Sequence, residues 1–154
     1  MKKAVKIILT TLLVIILIPV VFLGALYAAI SVMTTSGLTS RDAVVRMYEK
    51  NEEAFLNAAA TGDFSALGGI RGVEKVHVDK ECVDFQCGGS GFGSNTQYYG
   101  IFYSKADNKC AVVGGSFLKL EPENNGYRWK ESDGDNEYYV EPLGNHFFYY
   151  EEKY

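Results

Sequence analysis

The apolar positions of this chain follow three rhythms in succession. Residues 7–33 show no alternation at all. Ile, Leu, Val, Ala and Phe follow one another almost without interruption, and no charged side chain lies between Lys6 and Arg41. At 1.5 Å of rise per residue, about twenty such residues span a bilayer core, and this run exceeds that. Residues 41–60 keep a helical rhythm. Val44, Tyr48, Phe55 and Ala59, with Val45 and Leu56 beside them, fall on one side; Arg46, Lys50, Glu52, Glu53 and Asn57 fall largely on the other. One amphipathic helix is predicted, opened by Thr39 or Ser40 with Asp42 in its first turn, and stopped by Gly62. Asp63 then caps one further turn through Phe64, Ala66 and Leu67 before Gly68-Gly69.

From Gly72 onward the period is two. Val76 and Val78 alternate with Lys75, His77 and Asp79, and Val83, Phe85 and Cys87 alternate with Asp84 and Gln86. Residues 97–104 differ, with Tyr99, Ile101 and Tyr103 on one face and Tyr98 and Phe102 on the other, as a central strand requires. A turn at Ala106-Asp107-Asn108 leads to a strand over 110–114. Phe117, Leu118 and Leu120 follow, then a hairpin at Asn125-Gly126. Tyr127 and Trp129 return against Arg128 and Lys130, Asp133-Gly134 turns the chain, and 137–141 follows. Pro142 and Gly144 interrupt before the closing run 147–150. The predicted fold is α+β: an N-terminal transmembrane helix, then one amphipathic helix packed on an antiparallel meander sheet of about six or seven strands. The predicted divisions are an anchor over 1–33, a polar tether over 34–40 and an extracytoplasmic α+β domain over 41–154.

Lys2, Lys3 and Lys6 precede the apolar run, whereas Thr34, Thr35, Ser36 and Gly37 follow it. That asymmetry predicts a single-pass protein of the cell membrane, N-terminus in the cytoplasm and C-terminal domain outside. A cleaved signal is the alternative, with small residues at Ala28, Ala29 and Ser31, but signal cores are usually only about 7–15 residues long. A pilin-like layout lacks its Gly-Phe junction and nearby Glu, because residues 1–32 contain no acidic side chain.

Charge narrows the partners. The region from Arg41 onward carries 12 basic and 19 acidic side chains, a net charge of −7. Nucleic-acid recognition needs a basic footprint, so no nucleic-acid partner is expected. Cys82, Cys87 and Cys110 are odd in number and read as free thiols. Their spacing, without a His pair, is a poor zinc signature, and no cofactor is predicted.

One resemblance rests on specific runs: Thr61-Gly62-Asp63-Phe64-Ser65-Ala66-Leu67, then 83–93 (VDFQCGGSGFG), then 98–104 (YYGIFYS), then Gly126-Tyr127-Arg128-Trp129 and the closing Phe147-Phe148-Tyr149-Tyr150-Glu151. Together they resemble an uncharacterised family of small membrane-anchored exported proteins of anaerobic Gram-positive bacteria. The resemblance covers most of the exported part and implies localisation. It implies no activity, for that family has none established.

Four stretches invite chemistry. Residues 88–93 resemble a phosphate loop but are followed by a strand where a helix is needed, so a flexible hairpin loop or bulge is favoured. Cys87 alternates with Val83 and Phe85, so it reads as a small core residue rather than a nucleophile served by His77 or His146. Asp133-Gly134-Asp135-Asn136-Glu137 opens like a calcium loop, yet its sixth position is Tyr138 and its twelfth Gly144. The aromatic surplus remains. Tyrosines are ordinary strand formers, but an exposed strip built from Tyr98, Tyr103, Trp129, Tyr139 and Tyr149 would bind a partner. Three functions follow: a non-enzymatic interaction module for a protein or envelope component, a small-ligand or glycan binder using an aromatic sheet face, and a thiol-dependent enzyme on Cys87.

Overall fold

The computed structural model describes residues 2–33, 35–93, 95–109 and 118–154, in two compact units that divide between Thr34 and Thr35. The first unit is one helix, α1 (Lys2–Met33), with Pro19 inside it. Its 12–29 stretch is a candidate membrane span, and none of those side chains is covered by protein.

The second unit is an open antiparallel sheet of eight strands with its helices on one face. The order of elements is β1 (Thr35–Gly37), α2 (Arg41–Lys50), α3 (Glu52–Thr61), a 3-10 turn (Ser65–Gly69), β2 (Lys75–Val78), β3 (Val83–Phe92), β4 (Asn95–Tyr103), β5 (Glu121–Glu123), β6 (Gly126–Lys130), β7 (Glu137–Gly144) and β8 (Phe147–Lys153). Across the sheet the order is β1-β3-β4-β8-β7-β6-β5, with β2 also paired to β3. The α+β class and the antiparallel sheet are as the sequence predicts, but the simple meander is not. β8 inserts between β4 and β7, because both β4 and β8 carry large apolar groups on both faces and only interior positions bury them. The strand expected over 110–114, with Cys110 and Phe117, lies outside the described residues.

Three local expectations are corrected. The predicted single helix is two. Asn51 ends α2, its amide donating to the Met47 carbonyl at 2.7 Å and its backbone N–H to that of Tyr48 at 2.9 Å. Part of the polar tether joins the sheet, with Thr35 opposite Ser90 and Gly37 opposite Gly88. Pro142 and Gly144 do not interrupt a strand; they form a bulge within β7, and the turn is made by Asn145 and His146 at φ 53° and 69°. A matching bulge at Cys87 lets one strand, β3, carry two short partners end to end.

The helices cover a core of Val44, Tyr48, Phe55, Phe85, Ile101, Phe147 and Tyr149. Phe55 sits at its centre, edge-on to Phe85 at 5.3 Å and to Phe147 at 5.6 Å. Its neighbour Leu56, expected to share that role, faces outward. Half-buried Val76 packs against this core from β2, whose other residues, Val78 among them, are exposed. The other face holds a second cluster of Phe102, Tyr138, Val140, Phe148 and Tyr150, against which Leu118, Leu120, Tyr127 and Trp129 pack.

Candidate functional site

The five aromatic side chains singled out from the sequence do not form one strip. Tyr103, Tyr139 and Tyr149 point to the helix-covered face, and Tyr98 and Trp129 to the other. Tyr149 is fully buried, and its hydroxyl donates to Glu151 at 2.7 Å. Tyr139 is buried beside Glu141 at 3.3 Å, with the Arg128 guanidinium 4.9 Å from its ring centre. Both are core residues, and neither can meet a partner. Tyr103 is half-buried between Phe64 at 5.5 Å and Phe147 at 5.0 Å. Tyr98 lies over Gly89 and meets the Tyr154 ring at 6.1 Å.

Trp129 borders a depression. A shallow cavity of about 400 Å³ opens where β5 and β6 meet, lined by Lys119, Pro122, Glu123, Arg128, Trp129 and Lys130, with Glu121 beside them. Charges of both signs ring it in fixed pairs. Arg128 Nε lies 2.7 Å from Glu123 and its Nη1 3.3 Å from Glu137, while Lys130 lies 3.4 Å from Glu137. The half-buried indole adds an apolar surface to the lining. Such a rim suits a polar chain that donates and accepts hydrogen bonds while resting one apolar surface on the indole. Pro122, with no N–H to give, stands in the middle of the three-residue strand β5, so the cleft's outer edge is poorly suited to adding another strand.

Two ionic features belong to the framework. Arg41 grips Glu141 through Nε at 2.8 Å and Nη2 at 2.6 Å, although Glu141 is buried. That pairing holds the Glu141 carboxyl below its ordinary range and the Arg41 guanidinium above its own. On the opposite face, burial pushes the Asp84 carboxyl up to about 6, even though the Tyr150 hydroxyl donates to it and His77 stands across from it on β2. Its Oδ1 is sealed from solvent with no hydrogen-bond partner among the described residues.

The remaining stretches resolve simply. Cys87 is fully buried, its thiol pushed up to about 12 by burial and donating to the Phe85 carbonyl at 3.3 Å. A thiol held protonated and out of reach is a core group, the reverse of what a nucleophile requires. Residues 88–91 run as strand, not as a loop, and the hairpin tip comes only after Phe92. Gly91 at φ 117° and Gly93 at φ 64° supply the backbone the tip needs. Among the described residues, no three His, Cys, Asp or Glu side chains gather as metal ligands would.

Neither a family model, nor a curated protein, nor a solved structure matches the chain. The reading of this surface therefore rests on its own geometry. The Trp129 cleft was missed because its walls come from both sides of a hairpin whose tight Asn124-Asn125 turn folds Glu123 against Gly126. An aromatic flanked by Arg and Lys on one side of that turn and by Glu-Pro-Glu on the other was the signal available.

Proposed function

We propose that the chain is a membrane-anchored, extracytoplasmic, non-enzymatic interaction module, which holds a protein or cell-envelope component in the Trp129 cleft. The observation that carries this reading is a long apolar helix, uncovered by protein over 12–29, joined to a separate compact unit with an aromatic, charge-rimmed depression. The three lysines directly before the apolar run, against an uncharged 34–40 directly after it, support an outward-facing unit. The glycan-binder alternative now draws on Trp129 rather than on a sheet face, since Tyr139 and Tyr149 are buried. A thiol-dependent enzyme finds no support at Cys87.

Crosslinking with a membrane-impermeant reagent, followed by purification of the full chain, tests the reading. One stoichiometric partner is expected, and it is lost in Trp129→Ala while circular dichroism still shows a folded sheet, at a melting temperature lowered by the packing removed from the second cluster. Recovery of no partner, or equal recovery with Trp129→Ala, overturns the cleft. Protease added to spheroplasts expressing the chain should digest loops of the second unit; digestion only in inverted vesicles reverses the orientation.

A further inference from the structure

The β3–β4 hairpin carries a feature that the cleft leaves unused. Phe92, next to its tip, is 82 % exposed, more than any other large apolar side chain among the described residues of the second unit. No charged residue occurs between Asp84 and Lys105, so the hairpin from Phe85 onward is uncharged in a unit that is otherwise strongly acidic. Its position is set by register. Thr35, the first residue of β1, stands opposite Ser90, and the chain leaves the sheet there toward α1, which ends at Met33. Phe92 lies two residues further along the same direction, about 7 Å beyond that rung at the usual strand rise. The same end of the sheet presents Tyr98 against Tyr154, and Lys153 on the rung of Gln97.

We propose that this hairpin tip is a second membrane contact, with Phe92 entering the interfacial layer of the bilayer that holds the apolar helix. The inference rests on the anchor reading above. Only Thr34 separates the helix from β1, so the rung of Thr35 and Ser90 stays within about 7 Å of the helix end, as two extended residues reach no further. A single exposed Phe is unremarkable on a free domain. At this end it meets lipid, and an uncharged loop with an aromatic tip loses little on leaving water while gaining burial of the ring. Tyrosine and lysine behind it match the residues that favour a membrane–water boundary.

The test uses the full chain in phosphatidylcholine vesicles. Trp129 is its only tryptophan, so Phe92→Trp adds one reporter, and the difference from the unsubstituted chain isolates the hairpin. The expected result is blue-shifted added emission that is lost to shallow lipid-borne quenchers and spared by aqueous iodide. The double variant Trp129→Phe/Phe92→Trp should repeat it without subtraction. Vesicle flotation is run in parallel. Red-shifted, iodide-quenched emission from chains that float overturns the hairpin contact and leaves the anchor standing. Chains that do not float overturn both.

Discussion

The two faces of the sheet solve the same burial problem by different means. On the helix side, α2 and α3 lay a periodic apolar stripe over Phe85, Ile101 and Phe147, and the ionised Glu141 is neutralised by Arg41. On the other side, no described helix lies over the sheet. Phe102 and Phe148 stack at 4.9 Å and 9°, the Tyr150 ring takes the space above Gly100, and the loop residues Leu118 and Leu120 pack against them. There the half-buried Asp84 has a phenol and, across the strand pair, an imidazole for company rather than a guanidinium. Paired with a guanidinium, Glu141 keeps its charge, whereas Asp84, without one, is pushed toward its neutral form.

The largest effect tests whether both covers are equally complete. Phe55→Ala removes the ring at the centre of the helix-side core and should cost about 3–5 kcal/mol. Phe102→Ala should cost a similar amount, since it too is fully buried. Thermal melts of the full chain compare them; a loss below about 1 kcal/mol at Phe102 alone would show the second face to be loosely covered.

Next comes the acid. The Asp84 carboxyl is raised from 3.8 to about 6 in the folded chain, so the native state binds the extra proton. Its contribution is complete below the unfolded value and is lost as pH rises through the folded one. From pH 5 to pH 7 the wild type should therefore lose about 1–2 kcal/mol relative to Asp84→Asn. Denaturant titrations at the two pH values measure it, and a gap that does not change with pH sinks the assignment. His77, Tyr150, Glu152 and Cys87 surround the site, and the comparison with Asn cancels their own titration where it is not coupled to Asp84.

The ion pair ranks third. Arg41→Met leaves Glu141 buried without its cation and should cost about 1–2 kcal/mol at pH 7, the partial exposure of Arg41 reducing the full penalty. The cost should shrink in acid, where Glu141 in the variant protonates. An equal loss at pH 4 would mean that only packing was removed. Smallest is a gain. The Tyr48 hydroxyl is buried with no hydrogen-bond partner among the described residues, in the otherwise apolar helix-side core. Tyr48→Phe should stabilise the fold by about 0.5–1 kcal/mol, and a destabilised variant would reveal a partner for that oxygen.

Much of this contrast was legible in the sequence, and the rest has identifiable reasons for being hidden. The stripe of Val44, Tyr48 and Phe55 announced the helix side, and Phe85, Ile101 and Phe147 answer it. The break at Asn51 was hidden because the apolar period continues across it. Tyr139 and Tyr149 looked like surplus because strands were assumed to have one wet face. Tyr138-Tyr139-Val140 and Phe147-Phe148-Tyr149-Tyr150 are unbroken apolar runs, the mark of strands covered on both sides. Strand order was not legible at all, since nothing in the local pattern tells β4 whether its partner is the next strand or β8. The cleft depends on that same hairpin geometry and was visible only as Trp129 among charges.

The placement of β8 also sets a timetable. Its pairing joins the β3–β4 hairpin to the β5–β7 ribbon, yet it is the last of the eight strands to be synthesised. Until residues 147–153 emerge, two half-sheets with open, aromatic inner edges must wait for each other. Such late, long-range closure slows folding and leaves sticky intermediates exposed. A chain cut short before Phe147 is therefore left with two half-sheets whose inner edges stay unpaired.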